Sequence, residues 1–80
     1  MLIMTQGKRE IVNIDRIEMV FTDPERACFN AGWNILARGV SRNDIKLGRY
    51  ENEVQAQEVL QEIFMKYQIP GKQTYEMPGA

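Results

Sequence analysis

The sequence predicts an α+β domain in which a largely antiparallel sheet of four or five strands is covered on one face by a single C-terminal amphipathic helix. Short apolar runs with strand-like alternation occupy residues 1–50, and one long helical pattern follows them. With 80 residues, the chain is long enough for one modest core and too short for a second domain. Strands followed by one helix leave few other ways to bury one face of each. Residues 1–80 are therefore expected to form a single domain.

The helix is predicted to run from Asn52 to Tyr67. Its apolar side chains recur at the i, i+3, i+4, i+7, i+8, i+11 spacing of one helical face, and they are Ala56, Val59, Leu60, Ile63, Phe64 and Tyr67. Asn52 is the expected N-cap, and Gln55 stands in the reciprocal position of a capping box. Pro70 and Gly71 are expected to end the helical region.

Two hairpins and a strand between them are predicted before the helix. The first hairpin joins residues 1–5 to residues 11–14 across the turn signal Gln6-Gly7-Lys8, and the intervening strand covers residues 17–22. The second hairpin joins residues 34–40 to residues 45–50, and Gly48 inside it indicates a bulge or the close approach of another backbone. This pattern and the helical stripe predict a core of Ile17, Met19, Ile35, Leu47, Val59, Leu60 and Ile63.

Two segments have alternative readings. Residues 22–33 fit either a short helix capped by Asp23 with Pro24 at its first position, or a turn at residues 23–25 followed by extended chain. We favour the extended form, in which the alternating residues are Ala27, Phe29, Ala31 and Trp33. In the tail, residues 71–80, Thr74 to Met77 form either an edge strand or part of a flexible end.

The composition excludes several kinds of chemistry. The chain has no histidine and one cysteine, so it cannot build a disulfide, a zinc or iron–sulfur cluster, or a histidine-based acid–base site from its own residues. No glycine-rich phosphate loop or calcium loop occurs. Cys28 is expected to be a small buried apolar residue and not a reactive thiol. The sequence therefore predicts no enzyme, no cofactor and no metal site.

Acidic residues are expected to be ordinary solvated carboxylates. A paired-carboxylate site would have to come from Asp15, Glu18, Asp23, Glu25 or Asp44. Each of these residues lies in or beside a predicted turn or on the outer side of a strand. The formal net charge is −1, which implies no strongly charged partner. The apolar start before Lys8 is shorter than a signal-peptide core, and no run approaches a membrane span. A cytoplasmic location is expected.

One binding constellation stands out. Arg38, Lys46 and Arg49 lie on the strands of the second hairpin, with Trp33 and Tyr50 nearby, and a sheet with cations and aromatic rings is typical of single-stranded nucleic-acid binding. Strict alternation, however, places Lys46 and Arg49 on opposite faces unless the strand contains a bulge. Positive charge on the solvent side of a sheet also protects it from aggregation. Surface cations without a ligand are therefore favoured, and a nucleic-acid site is the alternative.

Several stretches resemble a group of small uncharacterised proteins from phages and prophages of Gram-positive bacteria. The matching residues are 45–51, Ala56, 59–63, 1–6 with Lys8, 11–15, and Tyr75 to Pro78. The resemblance covers about two thirds of the chain, and residues 23–33 depart from it. It consists of structural residues, so it implies a phage or prophage origin and carries no activity, cofactor or site residue.

The expected function is that of a small non-enzymatic accessory protein that acts by self-association or by binding another protein. A sheet covered on one side leaves an outer face and a strand edge available, and such edges pair with other chains unless something covers them. A homo-oligomer is the simplest result. The alternative is single-stranded nucleic-acid binding through Arg38, Lys46 and Arg49.

Overall fold

The computed structural model describes residues 1–25, 32–41, 43–71 and 73–79. This part of the chain contains six β-strands and one α-helix, which confirms the α+β class with a single helix. In chain order the elements are β1 (Leu2–Met4), β2 (Ile11–Asn13), β3 (Ile17–Pro24), β4 (Trp33–Gly39), β5 (Asp44–Tyr50), α1 (Glu53–Tyr67) and β6 (Thr74–Glu76).

The described strands form two three-stranded sheets, ordered β2-β1-β6 and β3-β4-β5. The prediction of one sheet with four or five strands is therefore wrong in this detail. The sheets separate at residues 14–16, a single turn of 3-10 helix between β2 and β3. Asn13 caps this turn, and its side-chain oxygen accepts a hydrogen bond from the Asp15 N–H at 3.1 Å. The turn redirects the chain, so β3 pairs with β4 and not with β2.

The first sheet contains the predicted hairpin and the predicted tail strand. β1 and β2 are antiparallel, and the turn between them includes a hydrogen bond from the Lys8 N–H to the Thr5 carbonyl at 2.9 Å. β6 lies on the other side of β1 and runs parallel to it. Residues 74–76 are thus an edge strand, and not part of a flexible tail.

The second sheet is antiparallel throughout and contains the predicted second hairpin, β4 and β5. β3 continues through Asp23 and Pro24, and the Glu25 N–H donates to the Gly32 carbonyl at 2.8 Å. The turn predicted at residues 23–25 and the alternative helix capped by Asp23 are therefore both wrong, because the pairing with β4 holds Asp23 and Pro24 in a strand. Ala27, Phe29 and Ala31 lie outside the described residues.

A bulge in β3 decides which of its side chains face the core. Ile17 lies opposite Gly39 and Met19 lies opposite Arg38, so Glu18 is an inserted residue. The insertion shifts the alternation by one position. Ile17 consequently packs against the core, whereas Met19 lies on the opposite face and is 43% exposed. The prediction that Met19 belongs to the core is wrong for this reason.

The bulge predicted near Gly48 is confirmed. Gly48 lies opposite Ile35 and Lys46 lies opposite Leu36, so Leu47 is the inserted residue in β5. Leu47 is 1% exposed, which makes the bulge part of the core.

The helix starts as its sequence predicts. The Gln55 N–H donates to the side-chain oxygen of Asn52 at 2.8 Å, and Asn52 is extended, as an N-cap residue should be. The reciprocal bond differs from the predicted capping box, because the Gln55 side chain accepts from the N–H of Glu51 at 3.2 Å and not from Asn52 itself. The contact from Asn52 occupies a backbone donor that the first helical turn leaves unpaired, and the contact to Glu51 fixes the residue before the cap.

One core is shared by both sheets and the helix. Its buried apolar residues are Ile3, Val12, Ile14, Ile35, Ala37, Leu47, Tyr50, Ala56, Val59, Ile63, Tyr75 and Met77. This confirms the predicted core positions Ile35, Leu47, Val59 and Ile63, while Ile17 and Leu60 are partly buried. Burial of an aliphatic side chain contributes about 1.5–3 kcal/mol, so these residues supply most of the stabilising free energy of a domain this small.

The end of the predicted helical stripe is exposed. Phe64 is 58% and Tyr67 is 49% exposed, although their spacing places them with the buried residues. Their side chains line a groove beside β3 that the fold leaves open.

Candidate functional site

The three cations of the predicted nucleic-acid site share one face of the second sheet. Residues directly opposite each other in antiparallel strands project to the same side. The pairs Asn34–Arg49, Leu36–Lys46 and Arg38–Asp44 follow one another along β4 and β5, so Arg38, Lys46 and Arg49 all lie on the face opposite the core. We call this the outer sheet face. The bulge at Leu47 produces this arrangement, because without it Lys46 and Arg49 would point to opposite sides.

Carboxylates neutralise two of these cations. Arg38 binds Asp44 with two hydrogen bonds, from Nε at 2.8 Å and from an Nη nitrogen at 3.2 Å. The guanidinium also lies 5.0 Å from the centre of the Phe21 ring, within cation–π range. Arg49 forms an ion pair with Glu25 through its Nε. Each arginine is therefore already engaged by a partner on its own chain.

The pKa values reflect the same pairing. The hydrogen bond from Arg38 holds the pKa of Asp44 below its usual range, and the hydrogen bond from Arg49 does the same for Glu25. Lys46 is exposed and adds to the lowering of the pKa of Glu25. The outer sheet face thus carries cations and carboxylates in alternation, and its local charge is close to balanced.

An apolar groove of about 700 Å³ lies between α1 and β3. The helix provides one wall with Gln57, Leu60, Gln61, Phe64 and Tyr67. β3 and the turn before it provide the other wall with Ile14, Ile17, Glu18, Met19, Val20 and Thr22. Ile63 of the helix also lines the groove. Glu18 is the single charged residue among those that line the groove. We call this surface the α1–β3 groove.

One aromatic residue that lines the groove, Tyr67, is held by a hydrogen bond. The Tyr67 hydroxyl donates to the Asp15 carboxylate at 3.1 Å, and the amino group of Met1 lies 3.2 Å from the same oxygen. These hydrogen bonds lower the pKa of Asp15, and the carboxylate in turn raises the pKa of the Tyr67 hydroxyl. Tyr67 is therefore held in place, whereas Phe64 projects further along the same wall.

The strand at the edge of the groove is open. Among the described residues β3 pairs with β4 alone, so the backbone groups along its other edge have no strand partner. Strand edges of this kind are templates for pairing with another chain. β3 has eight residues and contains no lysine, although the bulge at Glu18, the acidic Asp23 and Pro24 are other features that limit pairing at an edge.

The opposite edge of the same sheet is covered by Gln6. Its backbone N–H donates to the Leu47 carbonyl at 2.8 Å, and its side-chain oxygen accepts from the Arg49 N–H at 2.8 Å. Its side-chain nitrogen donates to the carbonyls of Arg49 and Pro78, both at 3.1 Å. Gln6 therefore takes the place of a neighbouring strand along β5. The two edges differ, because among the described residues Gln6 occupies the β5 edge whereas no strand pairs with the second edge of β3.

Sequence reasoning missed the residues that form this site. Leu60 is predicted as core, and Phe64 and Tyr67 as members of the same apolar helix face, because helical periodicity shows which residues share a face and not how wide the facing sheet is. Gln6 is predicted as part of a turn, and nothing in its local sequence indicates a contact with residues more than forty positions away. The position of the sheet decides which residues at the end of the apolar face of α1 stay exposed, and the sequence does not show this position.

The remaining candidate residues gain no role from the structure. Cys28 lies outside the described residues. Within residues 1–25, 32–41, 43–71 and 73–79, no group of three or more cysteine or acidic side chains is placed to hold a metal ion. In the same part of the chain, no helix is long and apolar enough to cross a membrane.

Comparisons with protein-family models, with curated proteins and with solved structures gave no match to this chain.

Proposed function

We propose that this chain is a small, non-enzymatic accessory protein of phage or prophage origin that acts in the cytoplasm by binding a protein in the α1–β3 groove. The bound protein is either another chain or a second copy of this one. The observation that supports the proposal is the position of the groove beside the open edge of β3. The phage origin follows from the sequence resemblance alone.

Two properties of the groove favour a protein ligand. An open edge offers backbone donors and acceptors in a row, so an extended segment can add to the sheet by main-chain hydrogen bonds. Phe64 and Leu60 beside that edge offer apolar surface for the side chains of the added segment. This combination of a strand edge with neighbouring apolar walls is the usual basis of recognition by strand addition.

Photo-crosslinking from within the groove tests the proposal. We would replace Phe64 with a photoreactive phenylalanine analogue in cells that produce the chain, and make the same replacement at Met65 as the matched control. Met65 is 59% exposed and neighbours Phe64, but it does not line the groove. Protein adducts formed from position 64 and absent from position 65, whether with this chain or another, support the proposal. Equal adducts at both positions, or none, contradict it.

Single-stranded nucleic-acid binding is the second candidate. The observation that favours it is the presence of Arg38, Lys46 and Arg49 together on the outer sheet face, beside Phe21. It ranks second because Arg38 and Arg49 have carboxylate partners that a phosphate would have to displace.

A titration separates the two candidates. A fluorescently labelled oligonucleotide titrated with the protein at low and moderate salt should show no saturable change in anisotropy. Saturable binding that weakens steeply with salt, and that is lost in Lys46→Glu but retained in Lys66→Glu, would establish the second candidate instead. Lys66 is the matched control because it is an exposed lysine on α1, away from the outer sheet face.

A further inference from the structure

We propose that the α1–β3 groove binds a short, positively charged segment of another protein, in which lysine or arginine flanks an apolar run. This inference rests on the proposed function and specifies the chemistry of its partner. It depends on the length of the β3 edge that is open to pairing, and on the sign of the charges in β3 and along the groove.

Pairing along the open edge of β3 is confined to the centre of the strand. The bulge at Glu18 interrupts one end of the ladder. Asp23 and Pro24 limit pairing at the other end, since proline has no N–H to donate. Residues 19–22 remain between these limits. An edge of this length suits one short extended segment and not a long strand, so side chains must supply much of the affinity.

The charged residues at both ends of this central stretch are acidic. β3 contains no lysine or arginine, and its charged residues are Glu18 and Asp23. Among the described residues, neither of these carboxylates forms an ion pair. Glu18 is exposed and lines the groove, whereas Asp23 shares the outer sheet face with Arg38 and Arg49, which partly offset its charge. A segment with a cation near each end therefore meets a carboxylate at each end in either strand direction, and Glu18 provides most of the attraction.

The helix side of the groove is acidic as well. Glu53 lies one turn before Gln57, which lies one turn before Gln61, so the three residues share one face of α1. Lys66, the one cation of α1, and Arg16, which precedes β3, do not line the groove. A basic segment is thus attracted from both walls, whereas a second β3 would bring further carboxylates and no cation.

Apolar and aromatic side chains provide contacts for the middle of the segment. Phe64 is 58% exposed, and Leu60 lines the same wall of the groove. Side chains alternate along an added strand, so every second one is directed toward this wall. The exposed ring of Phe64 also attracts a lysine or arginine that lies over its face. The groove therefore suits a segment that combines apolar side chains with cations.

Anisotropy titrations with two defined peptides test the inference. The first is a fluorescently labelled peptide of about eight residues, with a lysine near each end of a core of alternating valine and threonine. The second has glutamate in place of both lysines and is otherwise identical. At low salt the purified full chain should bind the lysine peptide saturably, and the glutamate peptide at least about tenfold more weakly. Higher salt should reduce this difference.

Charge reversal in the groove locates the effect. Glu18→Lys should weaken binding of the lysine peptide at least about fivefold and should strengthen binding of the glutamate peptide. Glu10→Lys is the matched control, because Glu10 is exposed before β2 and does not line the groove, and its substitution changes the net charge equally. This control should leave both affinities within about twofold.

Loss of the aromatic ring tests the apolar contact. Phe64→Ala should weaken binding of the lysine peptide about fivefold, whereas Met65→Ala, outside the groove, should leave it unchanged. All four substituted residues are exposed, so circular dichroism spectra should match that of the unmodified protein. The comparison of the two peptides on the unmodified protein decides the inference even if one variant does not fold.

The outcomes distinguish this inference from the proposed function. The inference is overturned if the lysine peptide does not bind saturably up to about 1 mM, if both peptides bind equally, or if Glu18→Lys and Glu10→Lys have equal effects. The proposed function then still stands if adducts form from position 64 in cells and not from position 65. Adducts from position 64 that join only copies of this chain also overturn the inference and leave the proposed function standing. If no adduct forms from position 64 in cells, both fall.

Discussion

Replacing Gln6 should reveal how much of the stability comes from joining the two sheets. The side chain of Gln6 makes three hydrogen bonds that link the turn after β1 to β5 and to the C-terminal segment. Its partners are the N–H and carbonyl of Arg49 and the carbonyl of Pro78. In Gln6→Leu the side chain keeps a similar volume but loses all three bonds, and the Arg49 N–H loses its acceptor.

The magnitude follows from these contacts. A hydrogen bond in a folded protein contributes about 0.5–1.5 kcal/mol net, and leaving a buried donor unpaired costs about 1–3 kcal/mol. Because the three bonds are only partly buried, we expect Gln6→Leu to lower the free energy of unfolding by about 2–4 kcal/mol. The free energy of unfolding of a native domain is about 5–15 kcal/mol, so a decrease of this size is a large part of the total.

Gln6→Glu separates the donor from the acceptor. The carboxylate can still accept from the Arg49 N–H, but it faces the carbonyl oxygens of Arg49 and Pro78 without a proton to donate. It should therefore destabilise at least as much as Gln6→Leu at neutral pH. Gln73→Leu is the control, because the Gln73 side chain makes one weak bond of 3.5 Å, and its substitution should cost less than about 0.5 kcal/mol.

Urea unfolding followed by far-ultraviolet circular dichroism measures all four proteins under the same conditions. A Gln6→Leu variant within about 0.5 kcal/mol of the unmodified protein would refute the reasoning. The Gln6 contacts would then be a consequence of sheet packing and not one of its causes.

Three further predictions concern the core and the titratable groups. Leu47→Ala should lower the free energy of unfolding by about 2–5 kcal/mol because Leu47 is 1% exposed. Leu60→Ala should lower it clearly less because Leu60 borders the groove, and the same urea experiment compares the two variants. Arg38 lowers the pKa of Asp44 in the folded protein, so this pair stabilises the fold at pH values above the pKa that Asp44 has in the unfolded chain. The stability difference between the unmodified protein and Asp44→Asn should disappear as the pH falls through the pKa of Asp44 in the folded protein. Burial, assisted by the charge of Glu62, raises the pKa of Tyr50 to about 12, so its contribution to stability is complete below pH 10.0, the unperturbed value, and is lost as the pH rises through about 12. The pKa values of Tyr67 and Tyr75 are raised as well, so ultraviolet difference absorbance should show a late tyrosine ionisation whose amplitude Tyr50→Phe reduces. A Leu60→Ala cost equal to that of Leu47→Ala, a pH-independent effect of Asp44→Asn, or ionisation of all tyrosines near pH 10.0 would contradict the respective prediction.

The local elements were largely predictable from the sequence. The helix has its own start signal at Asn52 and a long apolar period, and the two hairpins are bounded by polar turn residues, so each forms from interactions between residues close in the chain. The bulge at Leu47 was indicated by Gly48, because glycine inside a strand pattern marks such a site. These features depend on backbone preference and on periodicity, and both are visible in a single sequence.

The division into two sheets and the candidate groove required the tertiary structure. The one-residue insertion at Glu18 reverses the faces of β3, and no residue type in that stretch indicates it. β6 joins β1, and Gln6 covers β5, through contacts between residues far apart in the chain. Such pairings depend on which surfaces of distant segments come into contact, and the periodicity of a sequence does not show which surfaces these are.

The sequence by itself therefore determined the class of the fold, the position of the helix and part of the core, because these depend on local hydrogen bonding and on the burial of one apolar face. Only the tertiary structure decided that Phe64 and Met19 remain exposed and that β3 ends the second sheet. A three-stranded sheet is too narrow to cover the whole apolar stripe of α1, and the uncovered remainder beside the open edge of β3 is the α1–β3 groove.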